Sequence, residues 1–309
     1  LWGKCYKSNI LQSWIYGESK EVADNLESVY FSISKDGEDL AISQVLIKKL
    51  PLIGNIIRIN RGPLLINESR EGYEEVLLKT LKLVIEECKK RKALMIQIAP
   101  EIPSLLESKR KMKEIGLSKL PSVPWSSGLV DLQRDEEAIL MSLNGKWRNC
   151  YRKGLKLGVK IVDVSYTEEG VNNLIKNYKT LQTEKEFNGL SLDLVESMAN
   201  KDHKYWKFNI LEARDEADET IGNLVSVNHG DTSIYLIGTT TLEGRKLQAN
   251  YVMLWEAIIN AKDSGCTWFD IGGLTEETPS GIAHFKKGLN ADMYSLIGEW
   301  RGFFIPKIF

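Results

Sequence analysis

Cysteine is scarce: positions 5, 88, 150 and 266 of 309 residues carry it, with no Cys-x-x-Cys pair and no cysteine–histidine spacing suited to zinc. Such scattered thiols read as reduced and mostly buried, the pattern of a cytoplasmic protein. Histidine is scarcer still. His203, His229 and His284 are too far apart in the chain to announce a triad or a metal site. No apolar run approaches the roughly 20 residues that span a bilayer, and residues 1–10 lack the basic-then-apolar order of a signal peptide. A chain that does not cross the membrane is therefore expected, with peripheral contact left open. Charge of one sign is also missing: 41 basic residues face 42 acidic ones, for a net charge of -1. Nothing global attracts nucleic acid, so any phosphate contact must come from a local basic patch. The G-x-x-x-x-G-K-[ST], G-x-S-x-G and H-E-x-x-H motifs are all absent, which removes P-loop, hydrolase-elbow and zinc-protease readings. With only 8 prolines and 43% hydrophobic residues, long disordered tails are not expected either.

What is present is alternation. Residues 29–34, 40–48 and 53–59 are rich in β-branched and aromatic side chains and are broken by turn residues, which predicts three strands. Apolar residues at helical spacing (Val76, Leu77, Leu81, Val84, Ile85) predict a helix over 72–90, followed by a buried strand over 93–98. A helix over 104–115 and a strand over 127–132 complete a first unit, and a boundary is expected near 134–138. The alternation then restarts. A basic helix is predicted over 143–157, a strand over 159–162, helices over 168–184 and 192–199, and strands over 206–213, 220–229 and 232–238. A helix over 250–261, a strand over 267–271 and a last short helix and strand near Trp300 follow. Two successive antiparallel meanders, each leading into a helix and a strand, predict an α/β chain with mixed sheets, divided into residues 1–135 and 136–309.

Three segments could carry chemistry. The densest is Trp268-Phe269-Asp270-Ile271-Gly272-Gly273, followed after a short loop by Gly281-Ile282-Ala283-His284-Phe285-Lys286-Lys287-Gly288. A strand delivers the chain to Gly272 and Gly273, whose missing Cβ lets backbone approach a ligand. A loop over 274–280 can cover the site, and a lysine then meets the negative charge that develops during acyl transfer. The bland alternative is a glycine turn before a helix with solvated lysines. In the second segment, residues 146–156, Arg148, Arg152 and Lys156 recur at i, i+4 and i+8. Such a cationic face suits phosphates, though charge runs are commonly just solvated surface. Residues 11–20, with Trp14 and Lys20, read by themselves as an amphipathic lead-in helix. Tyr235, on the strand over 232–238, is a further candidate for contacting substrate.

Together these segments resemble the FemABX family, the peptidoglycan interpeptide-bridge aminoacyltransferases and their relatives. Gln12-Ser13-Trp14 with Lys20 is similar to the family's N-terminal Q-S-x-x-W/Y…K segment, and residues 146–159 to its K-x-R-x-x-x-R-K…G-V element. Residues 250–255 leading to Asp270-Ile271-Gly272-Gly273 and Phe285-Lys286-Lys287-Gly288 resemble the C-terminal signature, the most specific of the three. The resemblance implies two tandem GNAT-like acyltransferase domains, the second carrying the catalytic signature. It implies amide formation, in which an amine of a cell-wall precursor attacks an aminoacyl-tRNA ester in the cytoplasm. By the same resemblance Phe285 and Lys286 assist the tetrahedral intermediate, and Lys20 helps bind the acceptor diphosphate. The chain departs from the family pattern over 187–193, where Asp193 stands in place of an arginine. That substitution disfavours a phosphate at this point and hence a muropeptide nucleotide as acceptor.

The expected site therefore comprises Lys286, Phe285 and Asp270 as catalytic residues, Asp270 being either a general base or a strand-terminal residue bonding to backbone. Lys20, Trp14, Arg148, Arg152, Tyr235, Gly272, Gly273 and His284 are the expected binding residues. No permanently bound cofactor and no metal are expected. The co-substrate is aminoacyl-tRNA or, as the alternative, acyl-CoA; the stretch 238–250 lacks the Q/R-x-x-G-x-G/A loop that cradles CoA pyrophosphate. The acceptor is an amine on a peptide, muropeptide or amino sugar. A non-catalytic binding module is the reading from another class.

Overall fold

The computed structural model describes residues 1–66, 72–185 and 189–304. The chain forms two mixed α/β units, the first built from residues 1–126 together with the chain from Tyr294 on, the second from residues 127–293.

In the first unit, helix α1 (Trp14–Asp24) precedes the antiparallel meander β1 (Glu27–Lys35), β2 (Glu38–Leu50) and β3 (Gly54–Asn60). The two-residue β4 (Leu64–Leu65) pairs with β2. Helix α2 (Tyr73–Lys90) crosses over to β5 (Ala93–Ala99), which runs parallel to β3. The apolar spacing seen in the sequence is the reason α2 packs as it does: Leu77, Leu81, Val84, Ile85 and Cys88 are buried and share a core with Ile57, Ile59, Ile96 and Ile98. Each of the leucine, isoleucine and valine side chains, once removed from water, contributes roughly 1.5–3 kcal/mol. Helix α3 (Leu106–Glu114) and the two-residue β6 (Ser118–Lys119) follow, and the sheet order is β1-β2-β3-β5, then the strand Trp300–Phe303, then β6.

The second unit opens with β7 (Ser126–Asp131), α4 (Glu136–Ser142) and α5 (Gly145–Lys156), and continues through β8 (Lys160–Asp163), α6 (Glu168–Lys185) and α7 (Leu192–Ala199). Its meander is β9 (Trp206–Arg214), β10 (Thr220–His229) and β11 (Thr232–Thr240). The short α8 (Leu242–Lys246) leads into α9 (Ala249–Asp263), which is followed by β12 (Trp268–Asp270), α10 (Ser280–Lys287), β13 (Asp292–Ser295) and β14, the Trp300–Phe303 strand of the first unit. The order is β13-β7-β12-β11-β10-β9-β8, with β12 parallel to β11. Helix α9 buries Val252, Met253, Leu254, Trp255, Ala257, Ile258 and Ala261, so it is apolar on nearly every side and forms the core of the unit.

Both units thus carry the expected run of meander, helix and parallel strand. The expected division at 135/136 differs from the packing at both ends. Strand β7 pairs with β12, and β14 pairs with β5 and β6, so residues 127–135 belong with the second unit and the chain from Tyr294 on with the first. The basic helix expected over 143–157 is preceded by a separate helix, α4. Of the four cysteines, Cys5, Cys88 and Cys266 are buried and Cys150 is half-buried; all are free thiols. Among the described residues no helix is long and apolar enough to cross a membrane, and no group of three or more His, Cys, Asp or Glu is placed to hold a metal ion.

Candidate active site

The site grows from an opening in the second sheet. Strands β11 and β12 pair through Thr232–Trp268, Ser233–Phe269 and Ile234–Asp270, and the pairing stops there while β11 runs on to Thr240. A register shift between β10 and β11 at Val225/Ser226 accompanies this parting. Gly272 sits just past the end of β12 with φ +66, and a Cβ there would lie 2.1 Å from the Tyr235 carbonyl oxygen. Only glycine tolerates both the left-handed backbone and that approach.

Helix α10 delivers Lys286 to this point. Its side chain is only 7% exposed, and its ammonium donates to the carbonyls of Gly272 and Gly273, the latter at 3.0 Å. The nitrogen also lies 5.0 Å from the centre of the Tyr235 ring, close enough for a cation–π contact. Burial pulls the Lys286 pKa down to about 8, and the nearby Asp270 carboxylate partly offsets the fall. Burial likewise pushes the Tyr235 phenol up to about 12, so it stays protonated. An ammonium has three N–H groups, and two of them hold the glycine carbonyls. The third is available for an oxyanion. Asp270 is buried, and its Oδ1 accepts from the Ser127 hydroxyl and from the Gly272 N–H at 2.8 Å. Of its two expected roles, the geometry gives it the backbone-bonding one: it fixes the Gly272 turn and offers Lys286 an opposite charge. Ser127, on β7, has no signal in the sequence, because it lies 143 positions from its partner.

Phe285 faces elsewhere. Its ring stacks on Trp147 at 6.2 Å between centroids and meets Tyr251 edge-on at 5.0 Å, in a cluster that also includes Tyr151 and Trp255. It anchors α10 and through it Lys286. His284 is exposed and lines a cavity beside that cluster. The cationic face expected on α5 is split. Arg148 is half-buried, and its Nη1 donates to the carbonyls of Met141 at 2.7 Å and Leu143 at 2.5 Å, closing the C-terminal end of α4. Arg152 and Lys156 are exposed. Lys20 and Trp14 belong to the first unit, where Lys20 pairs with Asp24, while the exposed Trp14 stacks on Tyr30 at 4.1 Å and donates to Glu18. The Gln12-Ser13 part of that motif is structural. Gln12 bridges the backbone of Gln44 and Asn60, and Ser13 caps α1. Asp193 is exposed in the first turn of α7, where a carboxylate favours the helix end. Phe187 and Asn188, part of the same departing run, lie outside the described residues.

Comparison with known proteins places this geometry. No curated protein sequence matches the chain. Among solved structures, FemX is similar with a TM-score of 0.80 at 17% identity, covering 98% of this chain and 94% of that one. A tandem GNAT protein from the clavulanic acid biosynthesis pathway is similar with a TM-score of 0.53 at 11% identity, covering 94% and 87%. L-PGS from Bacillus licheniformis gives 0.51 at 13%, covering 89% and 83%. The fold is that of tandem GNAT-like proteins. Within it the chain belongs to the FemAB family, whose sequence profile matches residues 3–115 and 172–306.

Proposed function

We propose that this Fem-family transferase moves an aminoacyl group from aminoacyl-tRNA to an amine. The amine attacks the ester carbonyl, the C–N bond forms, and the C–O bond to the ribose breaks. The amine proton passes to the leaving ribose oxygen. Lys286, with one N–H uncommitted, is aimed at the oxyanion of the tetrahedral intermediate. Tyr235 and the Gly272–Gly273 backbone shape the slot, and Phe285 keeps α10 in place. An aminoacyl ester is already activated, so positioning supplies much of the remaining rate.

The observation that carries the choice of donor is the covered start of α9. In GNAT-like folds that use acyl-CoA, the helix after the fourth strand opens freely and cradles the pyrophosphate on its N–H groups. Here α8 runs straight into that helix end, Ala249 is fully buried, and α5 crosses it at Gly154. A Cβ on Gly154 would meet Val252 at 2.6 Å and the Leu247 carbonyl at 3.2 Å. With α5 in place this packing covers the helix end, which favours a donor other than acyl-CoA. The parted β11 and β12, with their likeness to a tandem GNAT protein, favour acyl-CoA as the second reading.

The acceptor in this reading is an amine on a peptide, muropeptide or amino sugar, and the use of charged tRNA puts the reaction in the cytoplasm. Parallel titration with acetyl-CoA and a mixed aminoacyl-tRNA pool, read by binding and by turnover on a generic amine, tests it. Saturable binding and turnover with charged tRNA alone is the expected result. Turnover with acetyl-CoA alone would replace it by the second reading, and binding of neither would make the chain a non-catalytic module.

A further inference from the structure

In the first unit, the turn between β2 and β3 carries side chains that a surface turn has no use for. Leu52 at its tip is fully exposed and Ile53 beside it is 66% exposed. Leu52 also has a left-handed backbone, φ +66, a conformation that strains a leucine and that glycine or asparagine takes readily. The turn is closed by backbone, with the Ile53 N–H donating to the Leu50 carbonyl at 3.1 Å. An apolar side chain at position 52 is therefore not needed to form it. In water the tip bears both bare hydrocarbon and backbone strain, and no contact within the fold offsets them.

The surroundings of the tip are basic. Lys48 and Lys49 lie at the end of β2, and the turn from α2 to β5 packs against the start of β3. There the Asn55 N–H donates to the Lys92 carbonyl at 3.0 Å, and Asn55 Nδ2 donates to the Arg91 carbonyl at 2.6 Å. Those bonds hold Arg91 and Lys92 next to the β2–β3 turn. All four cations are exposed. Lys49 pairs with Glu27 at 2.7 Å, whereas among the described residues no carboxylate pairs with Lys48, Arg91 or Lys92. Further back on α2, Lys89 and Lys90 are matched by Glu86 and Glu87 and add little. A cluster of cations attracts either nucleic acid or an anionic membrane, and the tip decides between them. Nucleic acid stacks its bases on flat rings, which the tip lacks. An aliphatic tip ringed by lysine and arginine suits a bilayer surface with anionic headgroups.

We infer that the first unit docks on an anionic lipid surface through this turn. Leu52 and Ile53 enter the boundary between headgroups and acyl chains, and Lys48, Arg91 and Lys92 meet the lipid phosphates. Two side chains and a few cations make a shallow, reversible contact, not an anchor. The inference does not depend on which donor the second unit uses.

Sedimentation of the full chain with vesicles tests it, using phosphatidylcholine alone and phosphatidylcholine mixed with anionic phosphatidylglycerol. Binding to the mixed vesicles alone is expected, and it should weaken as salt is added. Leu52→Asn with Ile53→Ser should lower the partition coefficient about tenfold or more. The same variant should keep the wild-type unfolding temperature or exceed it, because asparagine accepts the left-handed backbone. Lys48→Gln, Arg91→Gln and Lys92→Gln together should lower partitioning about fivefold per cation removed. Partitioning that ignores the Leu52/Ile53 variant would overturn the inference, because adsorption would then be by charge alone. Equal binding to both kinds of vesicle, or binding to neither, would do the same. An RNA hairpin whose affinity falls in the charge variant, with vesicle binding unmoved, would assign the cations to nucleic acid and also overturn it.

Discussion

Among the described residues each unit contains a pair of parallel strands joined across a helix, β3 with β5 and β11 with β12, and the two pairs end differently. In the first unit β3 and β5 stay together over six residue pairs, from Asn55–Ala93 to Asn60–Ala99, and the Arg61 N–H extends the ladder to the Ala99 carbonyl. Ile57, Ile59, Ile96 and Ile98 seal that pair with no exposed surface. In the second unit β11 and β12 hold only three residue pairs before Gly272 turns the chain away. The same local arrangement is therefore a closed core in one unit and an opening in the other. The difference comes from a few residues: a glycine with left-handed backbone, an aspartate holding it, and a lysine brought in by a following helix.

That contrast can be broken experimentally. The largest effect is expected where the first unit is sealed: Trp300→Ala, at a side chain only 1% exposed, should lower stability by about 3–5 kcal/mol in denaturant titration. At temperatures where the variant stays folded, its transfer rate should be unchanged. Lys286→Ala should do the reverse. The rate should fall about a hundredfold or more, with the circular dichroism spectrum retained. An unaltered rate would show that the opening is not the reaction site. Gly272→Ala falls between them, with about 1–3 kcal/mol of strain from the left-handed backbone and a disturbed lysine. It should therefore lower stability and rate together.

The pH profile sharpens the comparison most finely. In the proposed transfer Lys286 acts as a cation, so the rate should decline as pH rises through about 8, towards tenfold per unit. Stability moves the other way. Below about 8 the lysine is charged both folded and unfolded, and its burial opposes folding. Between about 8 and its ordinary value the unfolded chain binds more protons, so this group's contribution to stability rises with pH. A flat rate profile over that range would remove Lys286 from the chemical step.

What the sequence revealed follows from what is local in it. Strands and helices with clear periodicity, such as α2, α7 and β10, lie within a residue or two of their expected limits. The order of strand, Gly272-Gly273 and lysine-bearing helix was legible because all of it falls within twenty residues. Whatever depends on distant partners was not. The two-residue strands β4 and β6 carry no pattern of their own. Nothing near Trp300 indicates that its strand joins β5 and β6. Ser127 reaches Asp270 from another strand of the sheet. The spacing of Arg148 with Arg152 and Lys156 describes one helix correctly, but it says nothing of the carbonyls at the end of α4 that Arg148 holds. Phe285 shows the same limit, because its aromatic partners lie 34 and 138 positions earlier in the chain.

The position of β14 has a consequence for how the protein is made. It lies between β5 and β6, both of which are synthesised before residue 120, yet it is itself translated after the whole of the second unit. On the ribosome, the first sheet therefore waits with a gap between β5 and β6 and an unpaired β5 edge while the 180 residues from 120 to 299 emerge, at roughly 5–20 residues per second. The second unit can complete its core in that interval, and the first closes only when β14 arrives. The earliest-made half of the chain is then the last to be finished, and for some seconds its open edge is the surface most exposed to chaperones and to mispairing with other chains.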